Sequence, residues 1–332
     1  MTATALSTLD HGRAVTTPAL REAVARLDPV CGLAASYHFG WCDEQGQPAD
    51  HKAGKAVRPA MVLLAAEAVG AAPEAAVPGA VAVELVHNFS LVHDDLLDGD
   101  RERRHRPTVW AIWDAATAIL AGDAMLALAH EVLLESPSPG AGPAAWMLAS
   151  ATRELTRGQA YDLAFERRHD VTLAECFQMA DAKTGSLLGA SAGVGALLGG
   201  APAPAVDALT TFGRQCGLAF QLVDDVLGIW GDPGVTGKPV HSDLRSRKKS
   251  FPVTWALEQA PDELSPWLTG ADSPELQAVA DALERLGARE WSLDEARRRM
   301  ATAEQALSDV DLKPQARADL IDLAHYVVER QS

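Results

Sequence analysis

The stretch HDDLLDGD, residues 93–100, ends a long run in which apolar positions recur with the period of an α-helix. A second stretch, QLVDD at residues 221–225, ends another run of the same kind. In the first stretch Asp94 and Asp98 are one helical turn apart, so both side chains project from one side of the helix. Carboxylates stacked in this way repel each other, and the pattern therefore predicts a cation beside them.

The ligands available at both stretches are carboxylate oxygens, without a neighbouring set of Cys and His side chains. Oxygen ligands suit a hard cation such as Mg²⁺, which binds through a few carboxylates and completes its shell with water and substrate phosphates. A basic pair follows each stretch, Arg103-Arg104 after the first and Lys248-Lys249 after the second. Because such cations bind phosphate, the sequence predicts a site for a metal-bound phosphate group.

The charge balance limits the partners that this chain can bind. Its 332 residues carry a net charge of −16, which argues against nucleic acid and against adhesion to an anionic membrane surface. A phosphate substrate would instead have to be bound by local clusters of cations and by metal ions.

Three further features favour a cytoplasmic protein without integral membrane association. The four cysteines show no CxxC spacing, so we expect reduced thiols rather than a disulfide framework. Residues 1–17 lack a basic segment followed by an apolar core, so no signal peptide is expected. The uncharged stretch Thr184–Ala203 is rich in Gly, Ala and Ser, and Gly185, Gly189 and Gly193 recur on one face. That composition indicates a tightly packed buried helix rather than a membrane span.

Helical periodicity runs through almost the whole chain, and alternating strand patterns are almost absent. Length alone suggests about two domains, but no break between the helical runs has the composition of an interdomain linker. We therefore predict a single all-α domain over residues 1–332, with residues 1–17 flexible and both acidic stretches facing one cavity. The predicted helices are Pro18–Phe39, Lys55–Ala71, Gly79–Leu97, Val109–Leu134, Ala144–Glu166, Leu173–Leu198, Val206–Trp230, Phe251–Glu258, Pro274–Leu286, Leu293–Leu307 and Pro314–Arg330.

Three helix starts carry capping signals. Thr172 with Glu175 and Ser292 with Glu295 have the spacing of a capping box. Ser273 stands directly before Pro274, which is typical of a cap followed by a first-turn proline.

Taken singly, the candidate residues have ordinary explanations. An acidic helix face is usually a solvated surface, and a lone histidine such as His87 is more often a hydrogen-bonded core residue than a ligand. Lys55 and Arg58 would be read as surface charge, and the basic run at residues 245–249 as a solvated loop. The functional interpretation depends on these residues occurring together and in order.

That order resembles the trans-isoprenyl diphosphate synthases, or polyprenyl synthetases. DDLLDGDRERRHRPTVW at residues 94–110 resembles their first aspartate-rich motif, and FQLVDDVLGIWGD at residues 220–232 resembles the second. Four further landmarks follow the family's order, namely AGKAVRP at 53–59, GQAYDL at 158–163, Lys183-Thr184, and GKPVHSDLRSRKKS at 237–250. The resemblance extends over roughly residues 50–255 and implies an all-α prenyltransferase fold with its active site in a deep central cavity.

The resemblance also implies residue roles at two diphosphate sites. The Mg²⁺ ligands at the allylic diphosphate would be Asp94, Asp98 and Asp224, with Asp95 and the further metal-site acid Asp225 in support. The cations that hold this diphosphate would be Arg103, Lys183 and Lys248, with Lys238 closing over it. The diphosphate of isopentenyl diphosphate would be bound by Lys55, Arg58, His87 and Arg104. Thr184 and Gln221 would lie beside the allylic carbon as it becomes cationic.

These roles predict a Mg²⁺-dependent homodimeric prenyltransferase that extends dimethylallyl, geranyl or farnesyl diphosphate with isopentenyl diphosphate. One alternative is a class I terpene cyclase, which shares the ionisation step but has no use for a second diphosphate site. Another is a catalytically silent partner subunit, which would be expected to lose its acids and Lys183. The second motif departs from the family pattern at Gly228, where the third acid usually stands.

The residue five positions before the first aspartate often closes the well for the growing chain in this family. Here that residue is Phe89, followed by the small Ser90. An aromatic floor should end growth early, whereas Ser90, one turn below Asp94, leaves room. We therefore expect geranylgeranyl diphosphate as the main product, with farnesyl diphosphate as the alternative.

Overall fold

A computed structural model describes residues 3–51, 54–232, 240–271 and 274–329. Within these ranges the chain is all-α, as predicted, and its two short strands form one antiparallel hairpin. The elements are α1 (Ala3–Val24), α2 (Pro29–His38), α3 (Val57–Ala68), a 3₁₀ turn (Pro73–Ala76), α4 (Val77–Leu97), β1 (Glu102–Arg103), β2 (Arg106–Pro107), α5 (Val109–Ile112), α6 (Ala115–Leu134), α7 (Ala141–Glu166), α8 (Leu173–Ala180), a π turn (Asp181–Gly185), α9 (Ser186–Leu198), α10 (Ala203–Trp230), α11 (Ser242–Arg245), α12 (Phe251–Gln259), α13 (Pro261–Leu268), α14 (Leu276–Arg285), α15 (Ala288–Ser308) and α16 (Pro314–Glu329).

The core is built from apolar clusters that share α3 as a common wall. Val62 and Leu63 pack into a cluster formed mainly by α2, α4 and α6. The neighbouring Met61 and Leu64 pack into a second cluster formed with α9, α10, α15 and α16. Burial on both sides explains why this helix is apolar apart from Arg58 and Glu67. Each fully buried aliphatic side chain contributes about 1.5–3 kcal/mol.

Helices α9 and α10 approach each other closely because glycines line their contact. A Cβ atom at Gly213 would lie 2.3 Å from the carbonyl oxygen of Leu188, and one at Gly217 would lie 2.8 Å from the Cα atom of Gly185. Gly189 likewise faces the side chain of Arg214. The predicted glycine face of α9 is therefore confirmed as a buried packing surface.

The predicted helix Leu173–Leu198 contains one wider turn that carries two of the candidate site residues. α8 and α9 are joined without a break by the π turn, which includes Lys183 and Thr184. Helix α7 reaches this turn at Gly158, where a Cβ atom would lie 2.4 Å from the backbone nitrogen of Lys183. Single π turns inside α-helices are frequent at functional sites because they redirect side chains.

The amino-terminal expectations are corrected by the structure. The predicted flexible segment is helical from residue 3, because Ala5, Leu9 and Leu20 fall on one buried face of α1. α1 packs against α3, α4, α6 and α16. The predicted helix Pro18–Phe39 is two helices, since the carboxylate of Asp28 caps a new helix by accepting hydrogen bonds from two backbone N–H groups.

A second predicted helix, Val109–Leu134, is also divided. α5 ends at Ile112, and α6 begins after Asp114, whose carboxylate accepts a hydrogen bond of 2.7 Å from the backbone nitrogen of Thr117. The preceding hairpin was not predicted. Its turn residues Arg104 and His105 have φ angles of 53° and 61°, as a two-residue type I′ turn requires.

The capping predictions have mixed outcomes. The capping box of Thr172 and Glu175 is confirmed, with both reciprocal hydrogen bonds formed. The box at Ser292 is wrong, because α15 begins at Ala288 and the Ser292 hydroxyl donates to the Ala288 carbonyl oxygen at 2.8 Å. Ser273 lies outside the described residues.

Two helical stretches among the described residues have the length and apolar composition of a membrane span, namely Pro73–Leu97, which contains α4, and Ala115–Leu134, which is α6. The α4 stretch is mostly covered by its neighbours, with 67% of its most apolar window buried, whereas only 39% of the corresponding α6 window is buried.

Candidate active site

Helix α4 ends in two partly buried acids whose negative charges repel each other. Asp94 lies in the last turn of α4, and Asp98 is the residue that ends it. Burial raises the pKa of Asp94 from 3.8 to about 6; the charge of Lys183 opposes this shift and that of Asp98 adds to it. Burial also raises the pKa of Asp98, again against the attraction of Lys183. This turn therefore favours an additional cation.

Asp95 is buried on the other side of the same turn. Its Oδ1 accepts a hydrogen bond of 2.7 Å from Nε of Arg103, a bond that leaves the other guanidinium N–H groups available to a ligand. Its Oδ2 is buried and has no hydrogen-bond partner among the described residues. Burial raises the pKa of Asp95 to about 6, although Arg103 opposes the shift. An unsatisfied buried oxygen of this kind suits a water or a cation.

The two acids of α10 have different surroundings. Both oxygens of Asp225 are engaged, Oδ1 by Nζ of Lys248 and Nε2 of Gln221 and Oδ2 by the backbone nitrogen of Phe251, each at 3.0 Å. For Asp224 no hydrogen bond or ion pair is formed within the described ranges, and the residue is partly exposed. Protein donors thus contact both oxygens of the Asp225 carboxylate, and its role as a metal ligand stays a prediction.

A chain of hydrogen bonds joins the π turn to the basic loop. Oγ1 of Thr184 donates to Oε1 of Gln221 at 3.0 Å, and Nε2 of Gln221 donates to Asp225. Lys248 completes the chain at Asp225; burial lowers the pKa of this lysine, but the surrounding carboxylates together raise it well above its usual value. Asp225 thus brings Thr184, Gln221 and Lys248 into one chain of hydrogen bonds.

Helix α7 contributes two residues to which the sequence analysis assigned no role. Oδ2 of Asp162 accepts a hydrogen bond of 2.6 Å from Nζ of Lys183. Nε2 of Gln159 donates to Oδ1 of Asp98 at 3.3 Å, while its buried Oε1 has no partner among the described residues. Asp162 acts electrostatically on Asp94 and Asp98 and also on Lys248, so it lies between the α4 and α10 parts of the site.

These residues belong to the segment GQAYDL, residues 158–163, which was recognised only as a landmark. Gln159 and Asp162 are three residues apart on a helix, so they share one face. That spacing was a readable signal that both side chains point into the same space.

Basic side chains form a separate cluster near the middle of α4. Nη1 of Arg58 lies 3.2 Å from Nε2 of His87, and Nε of Arg58 is buried without a partner among the described residues. Burial and the charges of Arg58 and Arg104 lower the pKa of His87 well below its usual value, so the ring is neutral and accepts from Arg58. A Cβ atom at Gly54 would lie 3.0 Å from Nη2 of Arg104, which places this side chain against the loop that carries Lys55.

A polar network that the sequence did not reveal supports this cluster. Nδ2 of Asn88 donates to Oε1 of Glu84 at 3.0 Å, and Oδ1 of Asn88 lies 3.2 Å from Nε2 of His38. Burial raises the pKa of Glu84, against the attraction of Arg58 and Arg104. Burial and the nearby arginines lower the pKa of His38 to about 3. Arg58 and Arg104 supply the positive charge of this cluster, which suits a phosphate anion.

The two residues proposed to limit chain growth are both buried on α4. Phe89 packs edge-on against His93, with 5.4 Å between the ring centroids, and Nε2 of His93 lies 3.1 Å from the carbonyl oxygen of Ile119 on α6. Oγ of Ser90 donates to the carbonyl oxygen of His87 at 2.8 Å. Phe89 therefore lies on the α6 side of α4. The remaining predicted residue, Lys238, lies outside the described residues.

The donor set fits a hard divalent cation. The candidate ligands are carboxylate oxygens, and Asp94 and Asp98 stand one turn apart with a raised pKa. Within residues 3–51, 54–232, 240–271 and 274–329, no group of three or more His, Cys, Asp or Glu side chains is arranged so that it could hold a metal ion by itself, so water and phosphate would have to supply further ligands. A site of this kind matches Mg²⁺, which binds a few protein carboxylates and takes its remaining ligands from water and phosphate. Asp94, Asp98 and Asp224 are the side chains available for it.

Comparison with known proteins gives a consistent result. The family model for polyprenyl synthetase matches residues 41–286. The chain is 55% identical to a (2E,6E)-farnesyl diphosphate synthase of Mycobacterium tuberculosis, covering 100% of this chain and 95% of that protein. It is 43% identical to a geranylgeranyl diphosphate synthase of the same species, over 75% of this chain and 71% of that protein. A crystal structure of a polyprenyl synthetase from Streptomyces coelicolor superposes with a TM-score of 0.93 at 51% identity, covering 97% and 99% of the two chains.

We expect Asp94→Asn to stabilise the metal-free protein above pH 6. The pKa of Asp94 is about 6 in the folded protein and 3.8 in the unfolded chain. The protonated carboxyl therefore contributes its full stability below about pH 4, and this contribution is lost as the pH rises through 6. Asparagine avoids that loss. Chemical denaturation in EDTA at pH 8 should show the variant more stable than wild type by about 1–2 kcal/mol, and the gain should disappear at pH 4.

The matched control is Asp207→Asn, which changes an exposed acid of α10 and should give no comparable gain. Equal stability of the Asp94→Asn variant and the wild type at pH 8 would contradict the prediction, because it would mean that burial of this carboxylate is already compensated within the protein.

Proposed function

Because the chain belongs to the polyprenyl synthetase family, we propose that it is a short-chain trans-isoprenyl diphosphate synthase. It condenses isopentenyl diphosphate with an allylic diphosphate and depends on Mg²⁺. The observation that carries the proposal is that two different clusters of charged side chains lie along α4, each suited to bind a diphosphate. One is built from acids that suit bridging cations, and the other from Arg58, Arg104 and neutral His87 without a bridging metal. A terpene cyclase would need only the first.

At the acidic site the protein binds the allylic diphosphate and stabilises its departure. Asp94, Asp98 and Asp224 would hold Mg²⁺, which supplies positive charge where the leaving diphosphate becomes negative. Arg103, which is hydrogen-bonded to Asp95, donates to the diphosphate from that side. Lys183, which is hydrogen-bonded to Asp162, lies ready to bind it as well. Lys248, held at Asp225, adds a further cation. These groups favour ionisation of the allylic C–O bond because they bind separated diphosphate better than the intact ester.

The hydrogen bond between Thr184 and Gln221 has a consequence for the carbocation. Because Oγ1 of Thr184 donates its proton to Oε1 of Gln221, its lone pairs point elsewhere and remain available to a neighbouring positive charge. The direction of that bond is maintained because the amide nitrogen of Gln221 is bound to Asp225. An ordered dipole of this kind stabilises developing charge without reorganisation.

At the second site the cluster around Arg58 binds the diphosphate of isopentenyl diphosphate. The exposed Lys55 joins Arg58 and Arg104 there, while His87 orients Arg58 through its Nε2. Once the allylic bond ionises, the double bond of this substrate attacks the cation, which forms the new C–C bond and leaves a tertiary cation. A proton then leaves the carbon next to that cation, and the new double bond forms. The diphosphate released at the acidic site is a suitable acceptor for that proton.

For the product we propose farnesyl diphosphate, with geranylgeranyl diphosphate as the second candidate. The full-length similarity at 55% identity to a farnesyl diphosphate synthase supports the shorter product, as does the aromatic Phe89. The small Ser90 supports the longer one, since it leaves space one turn below Asp94. Dimethylallyl, geranyl and, for the longer product, farnesyl diphosphate are the corresponding allylic substrates.

We also propose that the enzyme is a cytoplasmic homodimer. Helix α6 exposes large apolar side chains that its own chain does not cover, among them Ile119 at 45%, Leu120 at 57% and Leu134 at 60%. An apolar face of this kind is typical of a subunit interface. The apolar composition of α4 is explained by burial within the chain, and that of α6 by burial against a second copy.

The test of the proposed function is turnover of the purified protein with isopentenyl diphosphate, each allylic diphosphate in turn, and Mg²⁺. Chain elongation is expected, with loss of activity in EDTA and near-complete loss in Asp94→Ala and Asp224→Ala. Undiminished activity in EDTA would contradict the metal assignment. Cyclisation of an allylic diphosphate without isopentenyl diphosphate would instead support a terpene cyclase.

The two diphosphate sites should separate in kinetics. Arg58→Ala and Arg104→Ala should chiefly raise the KM for isopentenyl diphosphate, whereas Lys183→Ala should chiefly impair use of the allylic substrate. A lost charge-assisted contact corresponds to roughly a ten- to hundredfold fall in kcat/KM. Arg101→Ala is the matched control, because Arg101 lies in the same segment but stacks over Trp110, with 5.0 Å to the ring centroid. Equal effects on both substrates in all three variants would contradict the assignment.

Product length should respond to the two α4 residues. Phe89→Ala removes a buried ring and should give longer products, whereas Ser90→Phe fills the space below Asp94 and should give shorter ones. Chromatography of dephosphorylated products measures both changes. If both variants keep the wild-type length, the floor of the well is formed by other residues.

The dimer should depend on α6. Leu120→Glu places a charge on the exposed apolar face and should shift sedimentation toward a monomer, while Val30→Glu, at an equally exposed position on α2, should not. A monomeric wild-type protein would overturn this part of the proposal.

A further inference from the structure

The second acidic motif has a glycine where a third acid would stand. Gly228 follows Asp224 by four residues on α10, so a side chain there would project from the same face one turn later. The sequence alone suggests a simple loss of one carboxylate from this face. The structure shows that the space beside Gly228 is filled from elsewhere.

The carboxylate of Asp243 occupies the position that a side chain at 228 would take. A Cβ atom at Gly228 would lie 2.4 Å from both Cγ and Oδ2 of Asp243 and 2.6 Å from its Oδ1. Asp243 belongs to the short helix α11 and is 8% exposed. The neighbouring Ser242 also binds α10 at this position: its hydroxyl donates a hydrogen bond of 3.3 Å to the carbonyl oxygen of Gly228.

Asp243 in turn contacts the lysine of the allylic site twice. Its Oδ2 lies 3.6 Å from Nζ of Lys248, and its backbone carbonyl oxygen accepts a hydrogen bond of 2.9 Å from the backbone nitrogen of Lys248. Nζ of Lys248 therefore lies between two carboxylates, those of Asp225 and Asp243. If the Asp243 carboxylate were removed or rotated away, the ammonium group of Lys248 would be held only by Asp225 and would move toward it.

We propose that Gly228 and Asp243 are a complementary pair, in which Asp243 supplies from α11 the carboxylate that α10 lacks and acts as a positioning residue for Lys248. The inference rests on the proposed function, because it assigns Lys248 to the allylic diphosphate. It has an unexpected consequence: an acid introduced at position 228, which restores the usual family pattern, should impair the enzyme rather than improve it.

The fold should survive this change. The three atoms nearest to a Cβ atom at position 228 are Cγ and both carboxylate oxygens of Asp243, so the whole side chain of Asp243 has to rotate away from α10 to relieve the clash. The rotation takes that carboxylate away from Lys248, and the new acid adds repulsion near Asp225. The damage should therefore appear in substrate binding before it appears in stability.

The experiment compares wild type with Gly228→Asp, Asp243→Asn and the double variant Gly228→Asp/Asp243→Gly, using full-length enzyme with saturating Mg²⁺. Each single variant should raise the KM for the allylic diphosphate about tenfold and leave the KM for isopentenyl diphosphate within about twofold. The double variant keeps the net charge and removes the clash, so it should recover most of the allylic KM. Gly142→Asp is the matched control, because no atom lies within 4 Å of the Cβ position at Gly142.

Two outcomes would overturn the proposal. One is a wild-type allylic KM in Gly228→Asp or in Asp243→Asn. The other is a uniform loss, in which both KM values and the melting temperature change together and the double variant recovers nothing. Failure of the wild-type enzyme to elongate any allylic diphosphate would count against the proposed function itself, and it is read from the wild-type reaction before any variant is compared.

Discussion

One helix, α4, sets the separation between the basic cluster around His87 and the acidic turn at Asp94. α4 carries His87 of the basic cluster and Asp94 of the acidic site seven residues further along, which corresponds to about 10 Å along the helix axis. α3, α6 and α9 pack around this helix and hold His87 and Asp94 in position. A reaction that joins two diphosphate substrates needs their reacting atoms at a constant distance. The other parts of the site are arranged around this spacing.

The acids of the site divide into those that are satisfied by the protein and those that are not. Asp225 receives three protein donors and thereby orders Gln221 and Lys248. Partial desolvation raises the pKa of both Asp94 and Asp98, which makes their ionised forms dependent on added positive charge. The first kind is a structural anchor, and the second is suited to bind a cation. This physical difference separates neighbouring residues that look equivalent in the sequence.

Much of the fold could be predicted because a helix depends mainly on residues that are close together in the sequence. The ends of α4 at Leu97 and of α10 at Trp230 agree with the predicted ends, since apolar periodicity and the following polar turn are properties of neighbouring residues. Two predictions were wrong, each for a physical reason. A helix was predicted through Asp28, whose carboxylate instead caps α2, and Ser292 is held inside a helix by burial that its own sequence context does not reveal.

The sequence by itself determined the all-α class, the two acidic faces and the basic residues around them, because charge, spacing and helical period are read directly from the chain. Only the tertiary structure decided which of these groups meet. The pair Lys183–Asp162 joins two helices, and the contact between Gly228 and Asp243 joins α10 to α11. Such contacts depend on the distances between packed helices, and no local pattern encodes those distances.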